Sequence, residues 1–171
     1  TGNPNLKPTR SANLDFMAEH YFKKVGIVSG GVFYKKIRDF IYTTSIQNYV
    51  DPITGDLFLS ATTPLNGPNA NLIGFEVAFQ RQLDFLPGFL KGLGIYVNYT
   101  YTGSDAEVVF FNENTGKSSA INTPLPGTSK HNYNASLSYE SKRLQARISV
   151  NYHSGFLDPE ESFLALSSSP V

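Results

Sequence analysis

The sequence predicts an all-β fold, an antiparallel up-and-down sheet that forms a segment of a transmembrane β-barrel. Three observations carry this prediction. Six segments alternate between apolar and polar residues, the connections between them alternate between short and long, and one face is apolar while the other is polar. A period of two places successive side chains on opposite faces of a sheet, so each segment is predicted to be a strand.

The alternation is clearest in the fourth segment, where Leu93, Ile95 and Val97 face one way and Tyr96 and Asn98 face the other. In the second segment the pattern blurs at residues 35–38, which predicts a bulge or an exit from the apolar zone. The six predicted strands cover residues 12–22, 27–41, 73–82, 93–102, 132–139 and 144–153.

The predicted connections differ in length according to the end of the sheet at which they lie. Short turns are expected at residues 23–26, 86–92 and 141–143, and long polar loops at 42–71 and 103–130. Bacterial outer-membrane barrels combine short periplasmic turns with longer extracellular loops. A soluble antiparallel sheet would give the same alternation, but it has no reason to segregate its loops by length.

Composition removes several classes of protein. The 171 residues include 14 basic and 14 acidic side chains, so the net charge is zero and no nucleic-acid partner is expected. The chain has no cysteine, which excludes disulfides and thiolate sites. No apolar run approaches the roughly 18 residues of a membrane-spanning helix, and no signal peptide opens the chain. A membrane-spanning β-barrel is compatible with the zero net charge, the absence of cysteine and the absence of a long apolar run.

Several stretches resemble the C-terminal barrel region of TonB-dependent receptors. They are Gly-Asn-Pro-Asn-Leu-Lys-Pro at residues 2–8, the strand at 31–41, the turn and strand at 85–101, and Leu-Pro-Gly-Thr-Ser-Lys-His-Asn at 125–132. They follow the order found in the family and cover most of the chain.

The resemblance implies a barrel of about 22 strands with a plugged lumen, in the bacterial outer membrane. Such receptors bind a scarce nutrient and import it when the TonB complex pulls on the plug. Residues 1–171 are expected to be a partial barrel, because six strands are too few to close one. The plug, its TonB box and the final strands are expected to lie outside it. The implied partners are outer-membrane lipid, the protein's own plug, TonB through that plug, and a siderophore, cobalamin or oligosaccharide.

The candidate site residues fall in two groups. Tyr49, Phe58, Phe110 and Phe111 lie in the predicted long loops among amide and hydroxyl side chains, which suits ligand binding. The predicted lumen-facing residues are Glu76, Gln80, Asn98, Asn134, Arg147 and Asn151.

No enzymatic activity, catalytic residue, metal site or cofactor is predicted. His20, His131 and His153 lack metal-ligand spacing, and no Gly-x-Ser-x-Gly elbow places a nucleophile beside a base. Residues 51–56 lack the pattern of a calcium loop and predict an ordinary turn. Two alternatives to active transport stay open: a passive porin-like or adhesin-like barrel, and an outer-membrane hydrolase.

Overall fold

The computed structural model describes residues 2–51, 53–112 and 117–158, without the side chains of residues 44–47, 109–112 and 117–119. These residues form a seven-stranded sheet and one short 3-10 helix, Gly88–Gly92, between the third and fourth strands. None of the described helical residues forms a helix long and apolar enough to cross a membrane. The strands are β1 Arg10–Tyr21, β2 Gly26–Val50, β3 Leu57–Gln82, β4 Leu93–Asn112, β5 Lys117–Thr123, β6 His131–Glu140 and β7 Gln145–His153.

Every neighbouring pair of strands is antiparallel, in the order β1-β2-β3-β4-β6-β7, and β5 pairs with the far part of β4. All six predicted strands are present, which confirms the all-β antiparallel fold. The strand β5 is an addition that the sequence pattern missed. Within the described residues β1 and β7 are the first and last strands of this order and do not pair with each other, so the sheet is open, as expected for a segment of a barrel.

Short turns occupy one end of the sheet, which we name the short-turn end. Residues 22–25 join β1 to β2, and Phe22 N donates a hydrogen bond to Gly26 O at 3.0 Å. Residues 83–92 join β3 to β4, and residues 141–144 join β6 to β7, where Ser141 N donates to Leu144 O at 2.8 Å. The three predicted short turns are therefore confirmed, and the opposite end is named the loop end.

The predicted long loops are wrong in extent, because most of their residues are strand. The β2–β3 pairing continues to Val50 opposite Leu57, so only residues 51–56 connect these strands. Similarly, β4 continues to Asn112 and pairs with β5. These segments carry polar residues on both faces, which hides the alternation. An antiparallel partner arm nevertheless satisfies their backbone hydrogen bonds whatever the side chains are.

The distortion expected at residues 35–38 lies one residue later and inserts no extra residue. Pairing runs without a shift from Arg38 opposite Asn69 to Phe40 opposite Gly67. Between them Asp39 has a φ of 54°, and the residue across from it is Pro68, which has no N–H to donate. Aspartate tolerates this left-handed conformation better than most residues do.

The amide of Asn66 holds the N-terminal segment beside this distorted point. Its Nδ2 donates to Lys7 O at 2.9 Å and to Asp39 O at 2.8 Å, and its Oδ1 accepts from Lys7 N at 2.8 Å. Thr9 Oγ1 also donates to Asp39 O, at 3.2 Å. These bonds order the segment before β1 although it pairs with no strand.

A small hydrophobic core lies at the loop end, where the β2–β3 and β4–β5 hairpins diverge. Strict alternation from Ile37 would place Phe40 and Tyr42 on the opposite face, yet they join the same cluster. The left-handed Asp39 lies between them and Ile37 and accounts for the change of side. The cluster comprises buried Phe40, Tyr42, Ala70, Ala106 and Val108, with Ile37, Leu65 and Leu125 packed against it.

Candidate functional site

The six predicted lumen-facing residues share one face of the sheet, here named the polar face. Pairing sets Asn98 opposite Asn134, and Asn134 opposite Asn151, so these three asparagines form a row across β4, β6 and β7. Asn134 Nδ2 donates to Asn98 Oδ1 at 2.7 Å. Residues directly opposite each other in an antiparallel sheet point to the same side, so the row lies on one face.

The same strand register places the other three predicted residues on the polar face. Glu76 is opposite Thr100, in the same alternating set of β4 as Asn98. Gln80 is opposite Tyr96 in that set, and Arg147 is opposite Ser138 in the set of β6 that contains Asn134. Gln80, Arg147 and Asn151 are exposed, whereas Glu76, Asn98 and Asn134 are half-buried.

The opposite face, here named the apolar face, exposes aliphatic side chains over most of the sheet. Leu14, Phe16 and Ile148 are 70–72% exposed, although they are large hydrophobic residues. The strands β6 and β7 have ten and nine residues. A tilted strand needs about 9–11 residues to cross the hydrocarbon core of a bilayer.

An aromatic cluster lies on the apolar face toward the loop end. The Phe75 ring is 5.7 Å from Tyr101 and 5.8 Å from Tyr99, and Tyr101 is 5.4 Å from His131. The Tyr99 hydroxyl and His131 Nδ1 form a hydrogen bond of 2.8 Å. Lys130 Nζ lies 5.7 Å from the centre of the Tyr101 ring. A cation over an aromatic face combines apolar contact with electrostatic attraction.

A second aromatic cluster lies on the apolar face at the short-turn end. The Arg81 guanidinium lies 4.6 Å from the centre of the Phe22 ring and 4.9 Å from that of Phe85. Phe22 also packs edge to face on Phe79 and on His20. The two clusters thus lie at opposite ends of an aliphatic band. In the sequence, the second cluster is indicated only by Arg81, the one charged residue that interrupts the apolar set of β3.

The ligand-binding candidates are at the ends of the hairpins. Tyr49 is directly opposite Phe58 near the tip of the β2–β3 hairpin. Phe110 and Phe111 lie near the end of β4, opposite Ser119 and Ser118, but their side chains are outside the described part of the structure. The structure therefore brings Tyr49 and Phe58 together, and it leaves the other pair without a described contact.

The tip of the β2–β3 hairpin is a turn organised by one carboxylate. Asp51 Oδ1 accepts from Ile53 N at 2.7 Å and from Thr54 N at 3.1 Å. Gly55 has a φ of 76°, a conformation that glycine adopts without strain. This local bonding holds Ile53 at the apex with 92% of its surface exposed.

The three histidines share no common site: His20 is at the short-turn end, and His131 and His153 are on the neighbouring strands β6 and β7 but on opposite faces, since His153 is opposite Asn132. His20 is beside Phe22 at the short-turn end, and His131 is in the loop-end cluster with Tyr99. His153 packs 6.0 Å from Phe156 beyond the end of β7. No group of three or more metal-ligating side chains occurs in the residues that the structure describes.

A two-faced antiparallel sheet with turns short at one end and hairpins long at the other defines the wall of a β-barrel. The family model described as "TonB dependent receptor-like, beta-barrel" matches residues 1–167. The chain therefore belongs to the TonB-dependent receptor-like β-barrel family. No individual curated protein and no solved structure matches the chain significantly.

Proposed function

We propose that this chain forms part of the wall of a bacterial outer-membrane receptor that imports a scarce nutrient with energy derived from TonB. The observation that carries the proposal is the division of one sheet into an apolar face bounded by aromatic clusters and a polar face with an asparagine row. Family membership supports the receptor class, since members share this barrel.

The apolar face suits contact with lipid. Exposed aliphatic residues such as Leu14, Val77, Leu137 and Ile148 would make a large contiguous patch in water. Patches of that kind mark surfaces that are covered by a partner or by membrane. Outer-membrane barrels present an apolar band flanked by aromatic residues at both interfaces. Phe75 and its neighbours at one end, and Phe22 and its neighbours at the other, match that arrangement.

The polar face suits a wet lumen that holds a plug. Glu76 and Arg147 carry charges that would be costly in hydrocarbon but are readily hydrated in an aqueous lumen. The amides of Asn98, Asn134 and Asn151 can bond to water or to the backbone of a plug. In this proposal the plug and its TonB box are encoded in a segment that precedes the barrel strands.

The hairpin tips suit capture of the nutrient at the extracellular side. Tyr49 and Phe58 supply two neighbouring rings near the apex of a hairpin that extends well beyond β1. Aromatic rings bind sugar faces or the apolar parts of chelates, and nearby polar groups set orientation. We assign Phe110 and Phe111 to the same role on the β4–β5 hairpin.

The assignment of the two faces can be tested with neighbouring residues of β7 in the full-length protein. Ile148→Lys would place a charge in the lipid, at a cost of about 2–4 kcal/mol near the middle of the bilayer. Ser149→Lys would place the same charge in the lumen and is the matched control. We expect the first variant alone to lower the yield of folded protein in vesicles. Equal yields for the two variants would contradict the proposed orientation.

Active transport can be separated from passive flow by measuring uptake in cells. Labelled iron chelate, cobalamin and oligosaccharide would be supplied to cells that express the full-length protein, with and without the TonB complex. Uptake of one of them that stops without TonB would support the receptor. Uptake that persists would indicate a passive barrel instead. Loss of uptake in Tyr49→Ala and Phe58→Ala would support the assignment of the tip.

A further inference from the structure

We propose that Arg81, together with Phe22 and Phe85, forms a binding site for the phosphate head group of a phospholipid at the short-turn end of the apolar face. This inference rests on the proposed membrane orientation of the sheet. It concerns the outer surface of the wall, whereas the proposed nutrient site is at the hairpin tips.

The first step is the position of the charge. Arg81 is opposite Gly26, the first residue of β2, and opposite Ile95 near the start of β4. It therefore lies at the strand ends, on the same face as Phe79. A basic side chain at this level can extend its charge to the interface while its alkyl stem stays against apolar surface.

The second step is that the guanidinium has no counter-charge from the protein. No carboxylate among the described residues lies within ion-pair distance of Arg81. The acid that follows most closely in the chain, Asp84, is paired with Lys24 at 3.0 Å. An anion would stabilise an arginine at the edge of the hydrocarbon, and a phosphate accepts two parallel hydrogen bonds from its planar fork.

The third step is that the site is held in shape before any ligand arrives. Phe22 and Phe85 both contact the guanidinium, at 4.6 and 4.9 Å. A methyl group at Gly26 would lie 3.0 Å from the Phe22 ring and 3.1 Å from Arg81 Cγ, so glycine leaves room for both side chains to pack. Contact with two rings restricts the positions that the guanidinium can take.

The occupant is a phospholipid rather than a soluble anion, because the cation is on the apolar face beside exposed aliphatic surface. A lipid can satisfy both at once, with its phosphate on Arg81 and its acyl chains along Val77 and Val97, which are 46% and 37% exposed. A soluble phosphate would make only the electrostatic contact with Arg81 and none with the aliphatic side chains.

The test measures phospholipid bound to the full-length receptor in detergent by native mass spectrometry, with phosphatidylglycerol as the probe. Arg81→Gln should weaken binding about tenfold, as expected for loss of a charge-assisted contact. The lipid affinity of Arg81→Lys should fall between those of the wild type and Arg81→Gln, because lysine keeps the charge and loses the planar fork. Arg143→Gln, which removes an exposed arginine from the β6–β7 turn at the same end, is the matched control and should match the wild type.

Unchanged binding in Arg81→Gln would overturn the site, and so would an equal loss in Arg143→Gln, which would indicate general attraction to cations. Displacement of the lipid by inorganic phosphate would overturn the choice of occupant. Failure of the proposed membrane orientation has a different signature, since the wild-type protein would then not insert into phosphatidylglycerol vesicles at all; failure of active transport alone would leave both insertion and lipid binding intact. Circular dichroism of each variant confirms that the sheet has formed.

Discussion

The packing of the Phe40 ring against Gly67 offers a quantitative test of how the loop-end core is arranged. These residues are directly opposite each other in β2 and β3, and Phe40 is only 6% exposed. A methyl group at Gly67 would overlap three atoms of the Phe40 ring, the farthest of them at 2.8 Å. All three close atoms belong to this one side chain, so Gly67→Ala must displace the ring.

The expected cost follows from overpacking. Gly67→Ala should lower the free energy of unfolding by about 1–3 kcal/mol, and Phe40→Ala by about 3–5 kcal/mol. In the double variant the cost of Gly67→Ala should nearly disappear, because the ring that the added methyl group overlaps is gone. We therefore expect a coupling energy of about 1–3 kcal/mol between the two positions.

Urea unfolding of the full-length protein in micelles, followed by tyrosine fluorescence, measures these differences, and hydrogen exchange locates them in the β2–β3 hairpin. The matched control for Gly67→Ala is Gly30→Ala in the neighbouring strand β2, where the nearest atom to an added methyl is 3.9 Å away. It should change stability by no more than about 0.5 kcal/mol. Additive costs for Gly67→Ala and Phe40→Ala would refute the proposed packing.

Three further variants test individual contacts. Asn66→Ala removes three hydrogen bonds to residues 7 and 39 and should speed hydrogen exchange at the Lys7 amide, whereas Asn69→Ala on the same strand should not. Asp51→Ala should speed exchange at the Ile53 and Thr54 amides by roughly fivefold, about 1 kcal/mol, and the control Asp56→Ala should leave them unchanged. Asn134→Ala should cost about 0.5–1.5 kcal/mol, and this cost should vanish when Asn98 is already alanine; an undiminished cost would show that the amide bond contributes nothing.

The polar face was predictable at the level of single residues. All six residues that alternation assigned to it, among them Asn98 and Asn134, share one face once the strands are paired. Each strand carries its own period of two, and antiparallel pairing preserves it across the sheet. That this face lines a lumen stays a prediction, as does the role of Tyr49 and Phe58.

The extent of the hairpins was not predictable in the same way. Residues 42–71 were expected to be a loop because their polarity does not alternate, yet β2 and β3 continue through them. Side-chain pattern reports which face is buried, and in this hairpin polar residues occupy both faces while the buried side changes at Asp39, so no single alternation results. Its strands persist because each arm satisfies the hydrogen bonds of the other.

The sequence by itself determined the class of fold, the two faces and the short-turn end, because these depend on patterns within one strand or one turn. Only the tertiary structure decided where the faces exchange at Asp39, how Phe40 is seated on Gly67, and which rings enclose Arg81. Those features depend on partners that are distant in the chain, such as Phe22 and Arg81. Strand register brings such residues together, and no local pattern encodes the distance between them.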